Sequence, residues 1–371
     1  MKIAMVVPGG VDRSGEYRVV PVLLWLIERL SRHVELHVFA LRQEPRSSRY
    51  RLLGADIHNA GGRLPSLRSV ANLISEHQEA PFALIHSIWA GSPGAVAAMT
   101  GRLLGVPVMV HIAGGELVSL PEVGYGGQMG FRGRCYTSAA LASASLITAA
   151  SSPIRALVDR SGHPSELLPL GVDLVRWPVV PPRQRDPDRP ARLVHVASLN
   201  RVKDQATLLR AAGVLVQRHI RFHLDVIGED TLGGEVHRLV ESGGLASHVT
   251  LHGFLPQQLL RPMVERADVL VLSSRHEAGP VVMAEAAAVG VPTVGTAVGQ
   301  MVDWAPDSAV TVPVGDPMAL ANAIIRLLDD EEERMRIARA AQARATSESA
   351  DWTAERVLHH YARLTGRVGT P

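Results

Sequence analysis

The sequence predicts an α/β protein of two domains, each built around a parallel sheet. Three observations point there. At 371 residues the chain is longer than one hydrophobic core usually organises. Apolar strand-like runs and helix-like stretches alternate along it in two series, the pattern of repeated βαβ units. Between the series lies VVPPRQRDPDRPAR (179–192), whose Pro, Arg and Asp content is that of a solvated linker.

Taken in order, KIAMVV (2–7) reads as the first strand and PGGVDRSGEYR (8–18) as the turn into an apolar helix over 19–30. The charges of that helix sit at its ends, which fits burial against a sheet better than a membrane anchor. VELHVFAL (34–41), ALIHSIW (83–89), VPVMVHIA (106–113) and ASLITAA (144–150) follow as strands of the first sheet. After ALIHSIW, Ala90-Gly91-Ser92-Pro93-Gly94 approaches the Gly-x-Ser-x-Gly turn of serine hydrolases. Ser92 as a helix N-cap, with Pro93 in the first helical position, accounts for it more simply. The second sheet takes RLVHVAS (192–198), RFHLDVIG (221–228), HVTLHGF (248–254), ADVLVLSS (267–274) and VPTVGT (291–296). WTAERVLHHYARL (352–364) reads as a final amphipathic helix.

Composition narrows the function classes. A hydrophobic share of 46% against 20% charged residues suits α/β domains with large buried sheets. Cys135 is the single cysteine, which excludes an internal disulfide and a cysteine-based zinc site and fits a reducing cytoplasm. MKIAMVVPGG is too short in apolar residues for a signal peptide, and no stretch approaches a membrane span of about eighteen apolar residues. A net charge of +2 gives no pointer to nucleic acid. The charge is uneven: residues 1–180 are net +4 and the remainder −2. That asymmetry is compatible with peripheral contact between the N-terminal half and an anionic membrane surface.

The chemistry concentrates in SRHEAGPVVMAEAAAVGVP (274–292). Glu277 falls in a strand-to-helix loop and Glu285 about two turns along the following helix. At about 1.5 Å rise per residue their carboxylates are separated by roughly 12 Å, the span from the sugar to the ribose of a nucleotide sugar. Between them lies a helix N-terminus, with free N–H groups and a positive dipole end suited to a diphosphate. Gly279 allows close backbone approach, and the alanines at 284 and 286–288 let the helix lie tight on its sheet. The plain alternative is a solvated loop charge followed by an exposed helix residue.

Glu277, seven residues of spacing, Glu285, small residues and then Gly290-Val291-Pro292 resemble the donor-site signature of glycosyltransferase family 4. LPLGVDLVRWPV (168–179) resembles the segment that ends the first domain in that family, with Leu170 where Asn is common. The resemblance implies the GT-B architecture: two facing Rossmann-like domains with a cleft between them. It places the first domain at 1–176, completed by the C-terminal helix at about 352–364, and the donor domain at 177–351. It implies retaining transfer of a sugar from a nucleoside-diphosphate donor to an acceptor hydroxyl on a glycan, a lipid-linked molecule or a small molecule. No cofactor or metal is expected, and the nucleotide sugar is a co-substrate. Glu277 and Lys203 would be catalytic, Lys203 balancing the departing diphosphate. Glu285 would take the ribose hydroxyls, and Asn200, Arg201, Gly279, Pro280, Val281, Val282 and Gly253 would complete the donor site.

Departures from the family pattern matter. Ala197-Ser198-Leu199 stands where a Gly-Arg-Leu loop supplies an arginine, so Arg201 is the candidate substitute. The alternative for Lys203 is a pairing with Asp204 or a helix-capping role. On the acceptor side Gly10 and Gly15 match a Gly-rich loop. Ala113 stands where relatives carry an active-site histidine, leaving His111, on the same strand face but deeper, and Glu116 as candidates. His111 also reads as a core residue, and the glycines as an ordinary turn. Other signals fail: Asp186-Pro187-Asp188 sits in the linker, Pro280 breaks any HExxH reading of His276-Glu277, and Gly290, Gly295 and Gly299 form no dinucleotide fingerprint. Three rivals remain: a nucleotide-sugar epimerase, a catalytically silent GT-B domain, and a hydrolase using Ser92.

Overall fold

The computed structural model describes residues 1–366, which divide into two compact units. One comprises Met1–Gly171 together with the chain from Ala350 onward, and the other is Val172–Ser349.

The first unit runs β1 (Lys2–Val7), α1 (Pro21–Leu30), β2 (Glu35–Ala40), β3 (Ser48–Leu52), β4 (Ala55–Asn59), α2 (Pro65–Glu79), β5 (Leu84–Ile88), α3 (Ser92–Leu104), β6 (Val108–Ile112), α4 (Phe131–Ser143), β7 (Leu146–Ala149), α5 (Ser152–Arg160) and β8 (Glu166–Leu167). Its sheet has the order β3-β4-β2-β1-β5-β6-β7-β8, parallel except for β3, which pairs antiparallel with β4. Every residue of β1 is buried, as expected when helices cover both faces of a parallel sheet. Ile3, Met5 and Val7 pack with Leu23, Ile27 and Leu30 of α1 and with Val357 and Tyr361 of the C-terminal helix, Ala350–Leu364. That helix lies against α1, and Arg29 holds its first turn through Asp351 at 2.7 Å.

The five strands expected from the sequence are present; β3, β4 and β8 are additional. The β3–β4 hairpin turns at Leu53 and Gly54, both at positive φ, the conformation that matches strand twist in a two-residue turn. Edge strand β3 reads Ser-Arg-Tyr-Arg-Leu. Its alternation of polar and apolar residues keeps an exposed edge soluble and leaves no apolar run to detect.

The second unit runs β9 (Ala191–Val196), α6 (Gln205–Gln217), β10 (Phe222–Ile227), α7 (Glu235–Ser242), β11 (Val249–Gly253), α8 (Gln257–Glu265), β12 (Val269–Leu272), α9 (Val281–Ala288), β13 (Thr293–Thr296), α10 (Gln300–Trp304), β14 (Val310–Val312), α11 (Pro317–Asp329) and α12 (Glu331–Ser347). The sheet is wholly parallel, in the order β11-β10-β9-β12-β13-β14. Leu208 and Leu215 of α6 pack with Leu320 and Ile324 of α11 over Leu193, Leu224 and Val269, each buried aliphatic side chain contributing roughly 1.5–3 kcal/mol. Strand β14 was not expected, because three residues give too short an apolar run.

Chain order reverses beside β9. From β9 the chain moves outward to β10 and β11, then returns to β12 on the other flank of β9. The loops leaving β9 and β12 therefore part in opposite directions, opening a crevice at the carboxyl ends of the strands.

Candidate functional site

The two loops that part at that crevice carry Lys203 and Glu277. After β9, Leu199 is buried, and the Asn200 side-chain oxygen accepts from the Lys203 amide at 3.0 Å, closing a turn. Asp204 follows at φ +50 and caps α6, its carboxylate accepting from the Thr207 amide at 3.1 Å and the Thr207 hydroxyl at 2.9 Å. Lys203 thus lies one residue before the cap and does not open the helix, as the sequence reading had it. The competing role of helix cap belongs to Asp204.

The β12 loop clasps this turn. Ser273 donates to the Lys203 carbonyl at 2.8 Å, the Arg275 amide donates to the Val202 carbonyl at 2.7 Å, and Arg275 Nε lies 3.0 Å from Asp204 Oδ2. Held this way, Lys203 Nζ meets Glu277 Oε1 at 2.5 Å, and the Ser274 hydroxyl donates to the same oxygen at 2.6 Å. The pair is partly buried, with side-chain exposures of 25% for Lys203 and 11% for Glu277. Beneath it His195 is fully buried; its Nδ1 donates to the Val271 carbonyl at 2.8 Å and its Nε2 accepts from Gln205. Burial pushes its pKa down to about 4, so this imidazole is neutral at physiological pH. Gly299 fixes the far side of the loop. A Cβ there would stand 2.4 Å from the Glu277 carbonyl oxygen, and its φ of +51 suits glycine.

Helix α9 starts four residues after Glu277. Pro280 precedes its first turn and no side chain caps it, leaving the amides of Val281 and Val282 as donors at the positive end of the helix. Glu285 is its fifth residue, just over one turn in, where the sequence reading had two turns. It is buried rather than exposed, because the alanines around it let α9 sink between the sheet and α12. Gln257 donates to Glu285 Oε1 at 3.3 Å, and burial pushes its pKa up to about 8. Gly253 ends β11 in a left-handed conformation, its carbonyl accepting from Gly228 at 2.9 Å. Arg201 does not join the pair. Its exposed side chain lies 3.9 Å from Glu235, since the turn at Asn200 directs it outward.

In the first unit, Gly10 sits at φ +82 with Val20 packed where a Cβ would go, and Gly15 is open to solvent. His111 is a core residue: buried on β6, it pairs through Nδ1 with the Thr148 hydroxyl at 2.9 Å, and burial lowers its pKa to about 4. Glu116 is buried where the β5 and β6 loops meet, its Oε1 accepting from the Ala90 amide at 3.2 Å. Burial raises its pKa, while nearby backbone amides oppose the rise. Ser92 is the first residue of α3 and Gly91 takes the cap position, with no side-chain cap. The sequence reading is off by one here, because the chain turns at Gly91.

Sequence reasoning missed Ser274, Arg275 and Gln257, and named Asp204 only as an alternative partner of Lys203. Ser274 and Arg275 stand in the same motif as Glu277; Ser274 acts within its own loop, and only the closeness of the β9 and β12 loops gives Arg275 a role.

Comparison with known proteins decides the family. A family model described as "Glycosyl transferases group 1" matches residues 180–344, and one described as "Glycosyl transferase 4-like domain" matches residues 19–170. The chain belongs to the GT-B glycosyltransferases of the family 4 type. EpsF of Bacillus subtilis, named as a glycosyltransferase, is 30% identical over 264 residues, covering 64% of this chain and 66% of EpsF. The first curated relatives are matched over 41% to 66% of their own length. Among solved structures, sucrose-phosphate synthase from Thermosynechococcus elongatus superposes with a TM-score of 0.81 at 20% identity, over 99% of this chain and all of the other. HepE of Anabaena, in complex with UDP and glucose, superposes with a TM-score of 0.76 at 18% identity, over 98% of this chain and all of HepE. These likenesses establish the fold. No helix among the described residues is long and apolar enough to cross a membrane.

Proposed function

We propose that this glycosyltransferase moves a hexose from a nucleoside-diphosphate sugar to an acceptor hydroxyl with retention at the anomeric carbon. The observation that carries the reading is the Lys203–Glu277 pair at the topological switch point, followed by the uncapped start of α9. A cation and a row of free amides form a diphosphate cradle, and a carboxylate beside it faces the sugar. The bound UDP and glucose of HepE support the donor class.

In this scheme the diphosphate draws Lys203 away from Glu277 and takes the amides of Val281 and Val282. Glu277 then stabilises positive charge developing at the anomeric carbon. Glu285 takes the ribose hydroxyls. The acceptor hydroxyl attacks on the face the diphosphate leaves, and a diphosphate oxygen removes its proton. On the acceptor side the proposal keeps Glu116, while His111 stays in the core.

Lysine and helix amides provide the stabilisation, so no divalent metal is required. The test is donor turnover in EDTA: inhibition reversed by Mg²⁺ or Mn²⁺ would overturn metal independence. A silent, sugar-nucleotide-binding role is the second reading, favoured by the engagement of Arg201 with Glu235, which leaves the diphosphate one cation fewer. Hydrolysis of the donor in the absence of acceptor separates the two. Peripheral membrane contact is proposed through Met129, Phe131 and Tyr136, all exposed beside Arg132 and Arg134, and is tested by sedimentation with anionic vesicles.

A further inference from the structure

Away from the donor site, the first unit carries a buried cluster that sugar transfer does not use: His37, His58 and Glu76. His37 stands on β2 and His58 on neighbouring β4, and Glu76 reaches them from α2. One nitrogen from each ring and one carboxylate oxygen lie within 4.8 Å of one another. His37 Nδ1 is 3.0 Å from His58 Nε2 and 3.7 Å from Glu76 Oε2. Ligands about 2.0–2.2 Å from a tetrahedral zinc stand roughly 3.3–3.5 Å apart, and these two distances bracket that spacing.

As placed, the cluster leaves one buried nitrogen, His58 Nδ1, without a hydrogen-bond partner among the described residues. His37 Nε2 donates to Glu35 Oε1 at 3.1 Å, so neutral His37 has only a lone pair on Nδ1. His58 must then donate from Nε2, which leaves a lone pair on its Nδ1. That atom is buried without a hydrogen-bond partner among the described residues, 3.8 Å from Glu76 Oε1, itself an acceptor. Reversing the shared proton sets the lone pair of His37 Nε2 against Glu35, whose side chain is 60% exposed and can turn into water.

We propose that His37, His58 and Glu76 bind a divalent transition-metal ion of the zinc type through His37 Nδ1, His58 Nε2 and a Glu76 oxygen. The ion takes the place of the shared proton, which moves to His58 Nδ1 and faces Glu76, so no net proton is released. His37 keeps its bond to Glu35, the carboxylate–imidazole arrangement that orients metal-bound histidines. Phe39, stacked on His58 at 4.6 Å, and Phe82, edge-on to His37 at 5.7 Å, form an apolar shell. Imidazole ligands suit zinc, copper, iron and nickel better than magnesium or calcium.

Two cations already face Glu76. Lys2 Nζ lies 3.7 Å from Oε2 but is also anchored on the Glu76 carbonyl at 2.9 Å. Arg49 lies 2.7 Å from Oε1 with its side chain 61% exposed, so it can swing into water. Arg49 is therefore the mobile like charge that opposes a metal at Glu76.

The experiment titrates chelator-treated, full-length protein with Zn²⁺ by calorimetry and with Co²⁺ by visible absorption. One equivalent should bind, with the intense Co²⁺ bands of tetrahedral coordination, and His58→Gln should abolish it. Arg49→Ala should bind about tenfold tighter, because a like charge that close opposes a cation. Failure of the parent protein to bind overturns the proposal, as does His58→Gln binding with unchanged affinity and stoichiometry, which would place the metal on other histidines. Should His58→Gln not fold, Arg49→Ala decides: affinity no tighter than the parent's removes Glu76 from the ligand set.

Discussion

Glu277 and Lys203 share a short, partly buried contact, so each is the other's partner as well as the ligand's. This changes what a lysine variant should do. Lys203→Ala leaves the Glu277 carboxylate without its cation, with only the Ser274 hydroxyl on Oε1, in a place only 11% exposed, so stability falls as well as turnover. Adding Glu277→Gln should recover the stability and none of the activity. A double-mutant cycle on urea midpoints reads the coupling, expected within about 0.5–3 kcal/mol; strict additivity would mean the contact is not made in solution. Glu277→Gln alone should leave nucleoside diphosphate affinity nearly intact and lower transfer about a hundredfold, because a preorganised charge acts mainly in the transition state. Equal turnover by variant and parent would remove Glu277 from the mechanism. Glu285 adds a pH dependence. Its pKa rises from 4.5 to about 8 on folding, so the folded state holds a proton the unfolded state has lost. Stability contributed by this group is complete below about pH 4.5 and declines as pH climbs to about 8. Glu285→Gln should flatten that decline, measured as Tm against pH. If the ribose hydroxyls bind the carboxylate form, nucleotide binding at pH 7 also expels this proton. Calorimetry in buffers of different ionisation heat should show that release in the parent and its loss in Glu285→Gln.

At the scale of elements, the site is two strand-to-helix loops locked by Arg275, Ser273 and Gly299. Gly299→Ala would set a Cβ against the Glu277 carbonyl, forcing the loop to shift. Turnover should then fall by tenfold or more, since a displacement of about 1 Å at reacting groups costs on the order of a hundredfold. Unchanged kinetics would show that the loop absorbs the strain elsewhere. The sequence disclosed the strands with unbroken apolar runs, such as ADVLVLSS, and the helix start at Gly279-Pro280. It did not disclose β3 or β14, one alternating and edge-exposed, the other three residues long. That Lys203 and Glu277 fall on strand-to-helix loops was legible from the strand–loop–helix patterns, while Glu285 was placed a turn too far along its helix. The role of Arg275 was not legible, because it depends on β9 and β12 being neighbours. The outward turn of Arg201 was equally hidden: it goes with a turn in which the Lys203 amide donates to both the side-chain oxygen and the carbonyl of Asn200. His58 gave no signal either, for only the register of β2 against β4 sets it beside His37.

At the scale of the whole molecule, the first unit is assembled from both ends of the chain. Its C-terminal helix buries Ala354, Val357 and Tyr361 completely or nearly so, and the Tyr361 hydroxyl meets His86 Nδ1 at 2.7 Å within the sheet. The second unit has its own core of aliphatic residues from β9, β10, β12, α6 and α11, and all the proposed donor-binding residues lie in it. Ending the chain at Ser349 should therefore act unequally. The first unit loses the buried side chains of Ala350, Thr353, Ala354, Val357, His360 and Tyr361, exposes the apolar face of α1 and leaves Arg29 without Asp351. Losing a buried aromatic alone costs about 3–5 kcal/mol, a large fraction of the stability of one domain. The second unit loses none of its core. In calorimetry the truncated protein should melt with the first unit's transition strongly lowered or absent. The remaining transition should still rise with UDP, because a ligand stabilises only the unit that binds it, by about 2.7 kcal/mol at a hundredfold excess over Kd. Loss of the UDP response on truncation would mean that nucleotide binding draws on the first unit, and the donor site would have to be redrawn to include it.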